Sequence, residues 1–285
     1  MIDPAKTDAT ATVDAARPRS ARRKFQFVIA AALLLCAIWA GGWFWANRIA
    51  SERIAAMKAD FVAEGGVLGC NAESLGGFPF KFTLDCAPAS LELPSKGLKA
   101  QVGAMEAIAL IYNPGHVLAS VQGPLALKAP GDLGVEANWP SLQTSVRVGT
   151  SRLLQNDADA TALDLAGTVD NFAATIPGAP PLPALSAKLY AILPGALPEL
   201  RDGHVDPLPA WIAAGGQVKL GQLNLDVGGF LANASGDLTV APDGVISGKV
   251  AIRVDQLEKL PDLAETIHPG SRDQVAQILG PLSAF

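Results

Sequence analysis

Residues 80–86 read Phe-Lys-Phe-Thr-Leu-Asp-Cys, and their pattern decides the fold. Phe80, Phe82, Leu84 and Cys86 alternate with Lys81, Thr83 and Asp85, so an extended chain here has one apolar and one polar side. The same period of two recurs at Val117, Ala119 and Val121, at Val146 and Val148 around Arg147, and at Leu163 and Leu165 around Asp164. It returns at Leu223, Leu225 and Val227 around Asn224 and Asp226, and at Val250, Ile252 and Val254 around Lys249, Arg253 and Asp255. Strands of this kind belong to antiparallel sheet half covered by other structure. Turn-forming residues stand between them: Gly76-Gly77, Asn113-Pro114-Gly115, Pro130-Gly131-Asp132, Ala234-Ser235-Gly236-Asp237 and Pro242-Asp243-Gly244. The last two bracket a short strand, Leu238 to Val240, and make residues 217–254 a meander.

The expected class is therefore mainly β, a β-rich α+β chain of antiparallel meander sheets with a few short covering helices. A proline-rich stretch, residues 176–183, is expected to link two β-rich parts, residues 67–175 and 184–285. No long repeat of fixed period is evident. Helices are expected after Asp206-Pro207, ending at Gly215-Gly216, and from Pro261 through Ile267. A third should follow a capping box of Ser271 and Gln274 and stop at Gly280-Pro281.

Upstream of the strands, Phe25 to Ala46 is a run of 22 residues without charge. As a helix it would be about 33 Å long, enough to cross a hydrocarbon core of about 30 Å. Trp39, Trp43 and Trp45 gather at one end, where indole rings anchor at a membrane interface. Arg17, Arg19, Arg22, Arg23 and Lys24 stand at the other, so the tail, residues 1–24, stays cytoplasmic and the rest is translocated. A cleaved signal would need small residues where Trp43, Phe44 and Trp45 stand. Arg22-Arg23-Lys24-Phe25 hints at a twin-arginine signal, but the apolar run is long for one. Leu35 before Cys36 argues against lipid attachment, leaving Cys36 a small buried hydrophobe. Residues 47–66 continue as an amphipathic stalk in which Ala50, Ile54, Met57 and Phe61 share a face and Gly65-Gly66 end the helix.

Cys70 and Cys86 both lie in the translocated part, where a disulfide would persist and would contribute about 3 kcal/mol on the chain-entropy model. The other reading is two separate thiols. A bridge would close a hairpin whose tip is Gly76, Gly77, Phe78, Pro79 and Phe80. Aromatics held at a tip can contact a partner or a membrane. The simpler expectation is that Phe78 and Phe80 fold back into the core and the glycines only make the turn.

The sequence offers little chemistry. Only 17% of its 285 residues are charged and the net charge is −5, so no basic surface exists for nucleic acid. The charge divides into +3 on residues 1–24 and −8 beyond residue 46. His116, His204 and His268 are each expected in turns or at the surface and do not form a zinc motif. No nucleophile elbow or phosphate loop occurs. Asp157, Asp159 and Asp164 lack the glycine and glutamate of a calcium loop, because Ala162 and Thr168 stand there, and are expected in a solvated loop. Neither a cofactor nor catalysis is expected.

Leu75-Gly76-Gly77-Phe78-Pro79-Phe80, Tyr112-Asn113-Pro114-Gly115-His116-Val117 and Gly123-Pro124, all after a membrane helix, resemble an uncharacterised family of Gram-negative envelope proteins, domain of unknown function 2125. The segment from Gly236 through Gly244 to Val250 fits that family and also looks like the strand repeats of the AsmA-like group. That resemblance implies an inner-membrane anchor, a periplasmic β-rich part and an apolar groove for phospholipid. The expected function is thus non-catalytic lipid binding or handling in the envelope, with the bilayer and phospholipid as partners. The alternative is a scaffold or assembly factor that binds other envelope proteins.

Overall fold

The computed structural model describes residues 19–131, 133–149, 161–180, 182–196 and 208–280. Asp157, Asp159, His204, Asp206 and Pro207 lie outside them. Helix α1 (Arg19–Ala63) runs unbroken through the apolar segment and the predicted stalk, and is long and apolar enough to cross a membrane. It ends as Gly65-Gly66 predicts. Gly65 has φ +87°, and the amides of Gly65 and Gly66 donate to the carbonyls of Val62 (2.9 Å) and Phe61 (3.1 Å). These two bonds form a Schellman motif. One expectation for the stalk fails: Met57 is 72% exposed, and Lys58 takes its place among the half-buried Ala50, Ile54 and Phe61.

Among the described residues fifteen strands follow: β1 (Val67–Cys70), β2 (Glu73–Gly76), β3 (Lys81–Cys86), β4 (Ala89–Leu93), β5 (Leu98–Val102), β6 (Met105–Leu110), β7 (Asn113–Val121), β8 (Leu125–Ala129), β9 (Leu133–Asn138) and β10 (Leu142–Val148). The rest are β11 (Leu163–Thr175), β12 (Leu185–Leu193), β13 (Gln217–Val227), β14 (Phe230–Val240) and β15 (Ile246–Asp255). All pairs are antiparallel in one continuous sheet, whose order begins β1-β4-β5-β8-β9-β11 and returns through β10-β7-β6-β3-β2. That order resolves into something simpler. β1–β2, β3–β4, β5–β6, β7–β8 and β9–β10 are each one long strand broken at its middle, and β11 is a sixth that bends without breaking. Six creased strands and then β12, β13, β14 and β15 make an up-and-down meander in chain order.

The crease has a chemical cause. The breaks fall at Asn71-Ala72, Ala87-Pro88, Gly103-Ala104, Gln122-Gly123-Pro124 and Trp139-Pro140-Ser141. Four of these five breaks hold proline, which has no amide to donate, or glycine, which has no side chain to hold the pleat, and such residues interrupt a ladder and bend a sheet. Backbone bonds still cross the crease from strand to strand: Ala87 N to Ala72 O (3.3 Å), Ala89 N to Gly103 O (3.3 Å), Gly103 N to Gln122 O (3.1 Å) and Gly123 N to Trp139 O (3.4 Å). In β11 a bulge between Val169 and Phe172, with Asn171 at φ +50°, replaces the break.

Bulges also keep the apolar face in phase. Val218 and Leu220 have one parity along β13 and Leu223, Leu225 and Val227 the other, and the extra residue between Leu220 and Leu223 returns them to one side. Rows such as Leu189–Leu223–Ala234–Ile252 therefore cross four strands on a single face.

The two β-rich parts are not separated at residues 176–183: β11 and β12, which flank that stretch, are hydrogen-bonded neighbours. Two expected turns lie inside strands. The chain reverses at Ile111-Tyr112, and Asn113-Pro114-Gly115 begins β7 where its register with β6 shifts, leaving Pro114 without a ladder partner there. Ala234 to Asp237 belongs to β14, where Gly236 lies against the backbone of Lys249, and the turn is at Gly228-Gly229.

Helix α2 (Leu208–Ala213) inserts Trp211 beside Leu163 and Ala196 in the buried core, where its indole N–H donates to Pro194 O (3.3 Å). Helices α3 (Leu260–Ile267) and α4 (Arg272–Leu279) follow β15. Ser271 makes no capping bond with its side chain. The Glu265 carboxylate accepts instead from the amides of Gly270 (2.9 Å) and Arg272 (3.0 Å), which holds its pKa below the usual value.

Candidate functional site

The creased strands carry the period-two pattern on both sides of the bend. In one arm, Leu68 and Cys70 of β1 stand opposite Leu91 and Ala89 of β4, which stand opposite Ala100 and Val102 of β5. In the other arm, Leu84 and Cys86 of β3 stand opposite Ala107 and Met105 of β6. Between the arms lies an apolar cavity of about 450 Å³, lined by Leu68, Leu84, Leu91, Ala100, Val102 and Met105 with both half-cystines. Its polar lining is provided by Ser90 of β4, Lys58 of α1 and Glu73 of β2, and the Lys58 ammonium donates to the Glu73 carboxylate in an ion pair that water still reaches. Ligand pockets of about 300–1,000 Å³ typically combine an apolar wall with a few convergent polar groups.

Cys70 and Cys86 are bonded, with Cα atoms 5.5 Å apart. The bridge does not join the two strands of the β2–β3 hairpin, as expected, because Cys70 ends β1 on the opposite arm. It therefore staples the two arms beside the cavity, which both half-cystines line. Gly76 ends β2, and Gly77 to Phe80 turn the chain, with Lys81 N donating to Gly77 O at 3.1 Å. The expectation that Phe78 and Phe80 fold inward fails: they are 53% and 60% exposed around Pro79. Tyr112, 67% exposed, joins them from the next turn, which Ile111 N fastens to Phe80 O at 3.0 Å. On α1, Trp39 and Trp45 are exposed and Trp43 is buried with its ring edge-on to Phe44.

The polar side holds one further group. His116 of β7, Arg147 of β10 and Asp164 of β11 lie in register, and His116 Nε2 is 2.9 Å from Ser145 Oγ. Neither His116 nor Asp164 sits in a loop as expected; Asp164 is buried inside a strand. Burial, and then the nearby Arg147 guanidinium, lower the His116 pKa below 6.5. Among the described residues no three or more of His, Cys, Asp and Glu converge to hold a metal.

Sequence reading missed most of the cavity. Leu91, Ala100 and Val102 were legible as further alternation at residues 89–93 and 98–102, and Lys58 as the polar member of an otherwise apolar helix stripe, whereas Met105 opens a strand without clean alternation.

Fold and site together define a β-rich protein led by an apolar helix, with a half-open apolar cavity between the arms of a creased antiparallel meander. The chain belongs to the family described as uncharacterized protein conserved in bacteria (DUF2125), whose model matches residues 43–190 and 149–285. No curated protein and no solved structure matches it.

Proposed function

We propose that this protein is anchored in the bacterial inner membrane by residues 25–46, with its β-rich part in the periplasm, and that it binds a lipid acyl chain in the creased sheet. The observation that carries the reading is the apolar cavity between the arms, with the Lys58–Glu73 pair at its polar side. An acyl chain removes apolar wall from water at about 25 cal/mol per Å², and the ion pair supplies the polar end where a headgroup meets solvent. The apolar face continues over β12 to β15, where Leu189, Val250, Ile252 and Val254 are exposed, which extends the surface an alkyl chain can follow. A net charge of −8 beyond residue 46 favours a neutral or zwitterionic headgroup over an anionic one.

A scaffold role is the second reading, favoured by the exposed Phe78, Phe80 and Tyr112. The two are separated by native mass spectrometry of the full chain in detergent, beside Ala100→Trp, whose indole fills the cavity. Lipid binding predicts one retained lipid on the wild type that Ala100→Trp lacks. Equal lipid content in the two proteins contradicts it.

A further inference from the structure

β15 is hydrogen-bonded to β14 along its full length, and among the described strands it pairs with no other. All ten of its residues are exposed, Ile252 at 68%. Such an edge offers a row of unpaired amides and carbonyls to another strand. Two of the usual protections are missing: Ile246 to Asp255 contains no proline, and its register with β14 runs without a bulge. We propose that β15 pairs antiparallel with β15 of a second copy, with Ile252 opposite itself.

Charge and overlap select this register, since centring on Val254 would set Arg253 against Asp255 but pair only three residues of β15. Opposed residues must share a face, so the two-fold axis must pass beside a residue position, not between two. Centred on Ala251, Lys249 would face Arg253 of the second copy, and centred on Arg253 that residue would face itself. Centred on Val250, Gly248 would face Ile252 and no opposite charges would meet. With Ile252 at the centre, Lys249 faces Asp255 of the second copy twice, and Val250 faces Val254 twice. Opposite charges and β-branched pairs across an antiparallel ladder each contribute roughly 0.2–1 kcal/mol, and facing like charges cost as much. The pairing would also continue the apolar face of the sheet from one copy into the other.

The test uses the full chain with Cys36→Ser, which removes the free thiol and leaves the Cys70–Cys86 bridge. Ile252→Cys should form a disulfide-linked dimer under mild oxidation. Val245→Cys, also exposed but outside the paired span, should remain monomeric. Asp255→Lys should weaken the dimer about tenfold. Equal cross-linking at positions 245 and 252, a monomeric mass by light scattering, or a dimer unweakened by Asp255→Lys would each overturn the proposal.

Discussion

At Gly103 an added Cβ would stand 2.6 Å from the carbonyl oxygen of Gly123 and 2.8 Å from that of Gln122. At Gly123 it would meet Asn138 Oδ1 at 2.8 Å and the Trp139 amide nitrogen at 2.9 Å. Backbone atoms cannot rotate away, so Gly103→Ala and Gly123→Ala should each destabilise the protein by about 1–3 kcal/mol in chemical unfolding. Gly134→Ala meets only ordinary contacts and should change little. The period-two reading could find apolar faces but not these two glycines, because close backbone approach between distant segments leaves no local pattern. His116 gives a pH signature. Its pKa is lowered in the folded state, so the unfolded chain takes up the proton first as pH falls. Stability should be complete above about pH 6.5 and decline below it, and His116→Gln should flatten that part of a melting-temperature profile between pH 8 and pH 5.

Among the elements, the disulfide links the arms through β1 and β3, strands that do not pair with each other. Cys86→Ser should therefore cost about 2–5 kcal/mol and loosen the cavity wall, read as faster hydrogen exchange in β1 and β4 than in β13 and β14. Strand existence was legible from alternation at residues 80–86, 117–121 and 223–227, and the meander of β13 to β15 was legible too. The crease was not. Pro88, Pro124 and Pro140 each resemble strand ends, and only the hydrogen-bonded alignment of the breaks shows that five long strands are interrupted along one line, three of them at these prolines. Gly236 misled for the complementary reason: it marks close contact inside β14, where a local reading sees a turn.

For the molecule as a whole, the creased half lines the half-open cavity, and the uncreased strands carry the same apolar face into the open. What fills that cavity was not legible, since Leu68, Leu91, Ala100 and Met105 converge only when the sheet bends at residues that look like loops. The central claim is that an acyl chain lies there, and the most direct test is photo-cross-linking of the full chain with a photoactivatable phosphatidylcholine, followed by peptide mapping. Adducts are expected on peptides containing Leu84, Leu91 and Met105, and are lost on Ala100→Trp. Adducts confined to residues 25–46, or unchanged by Ala100→Trp, would contradict it.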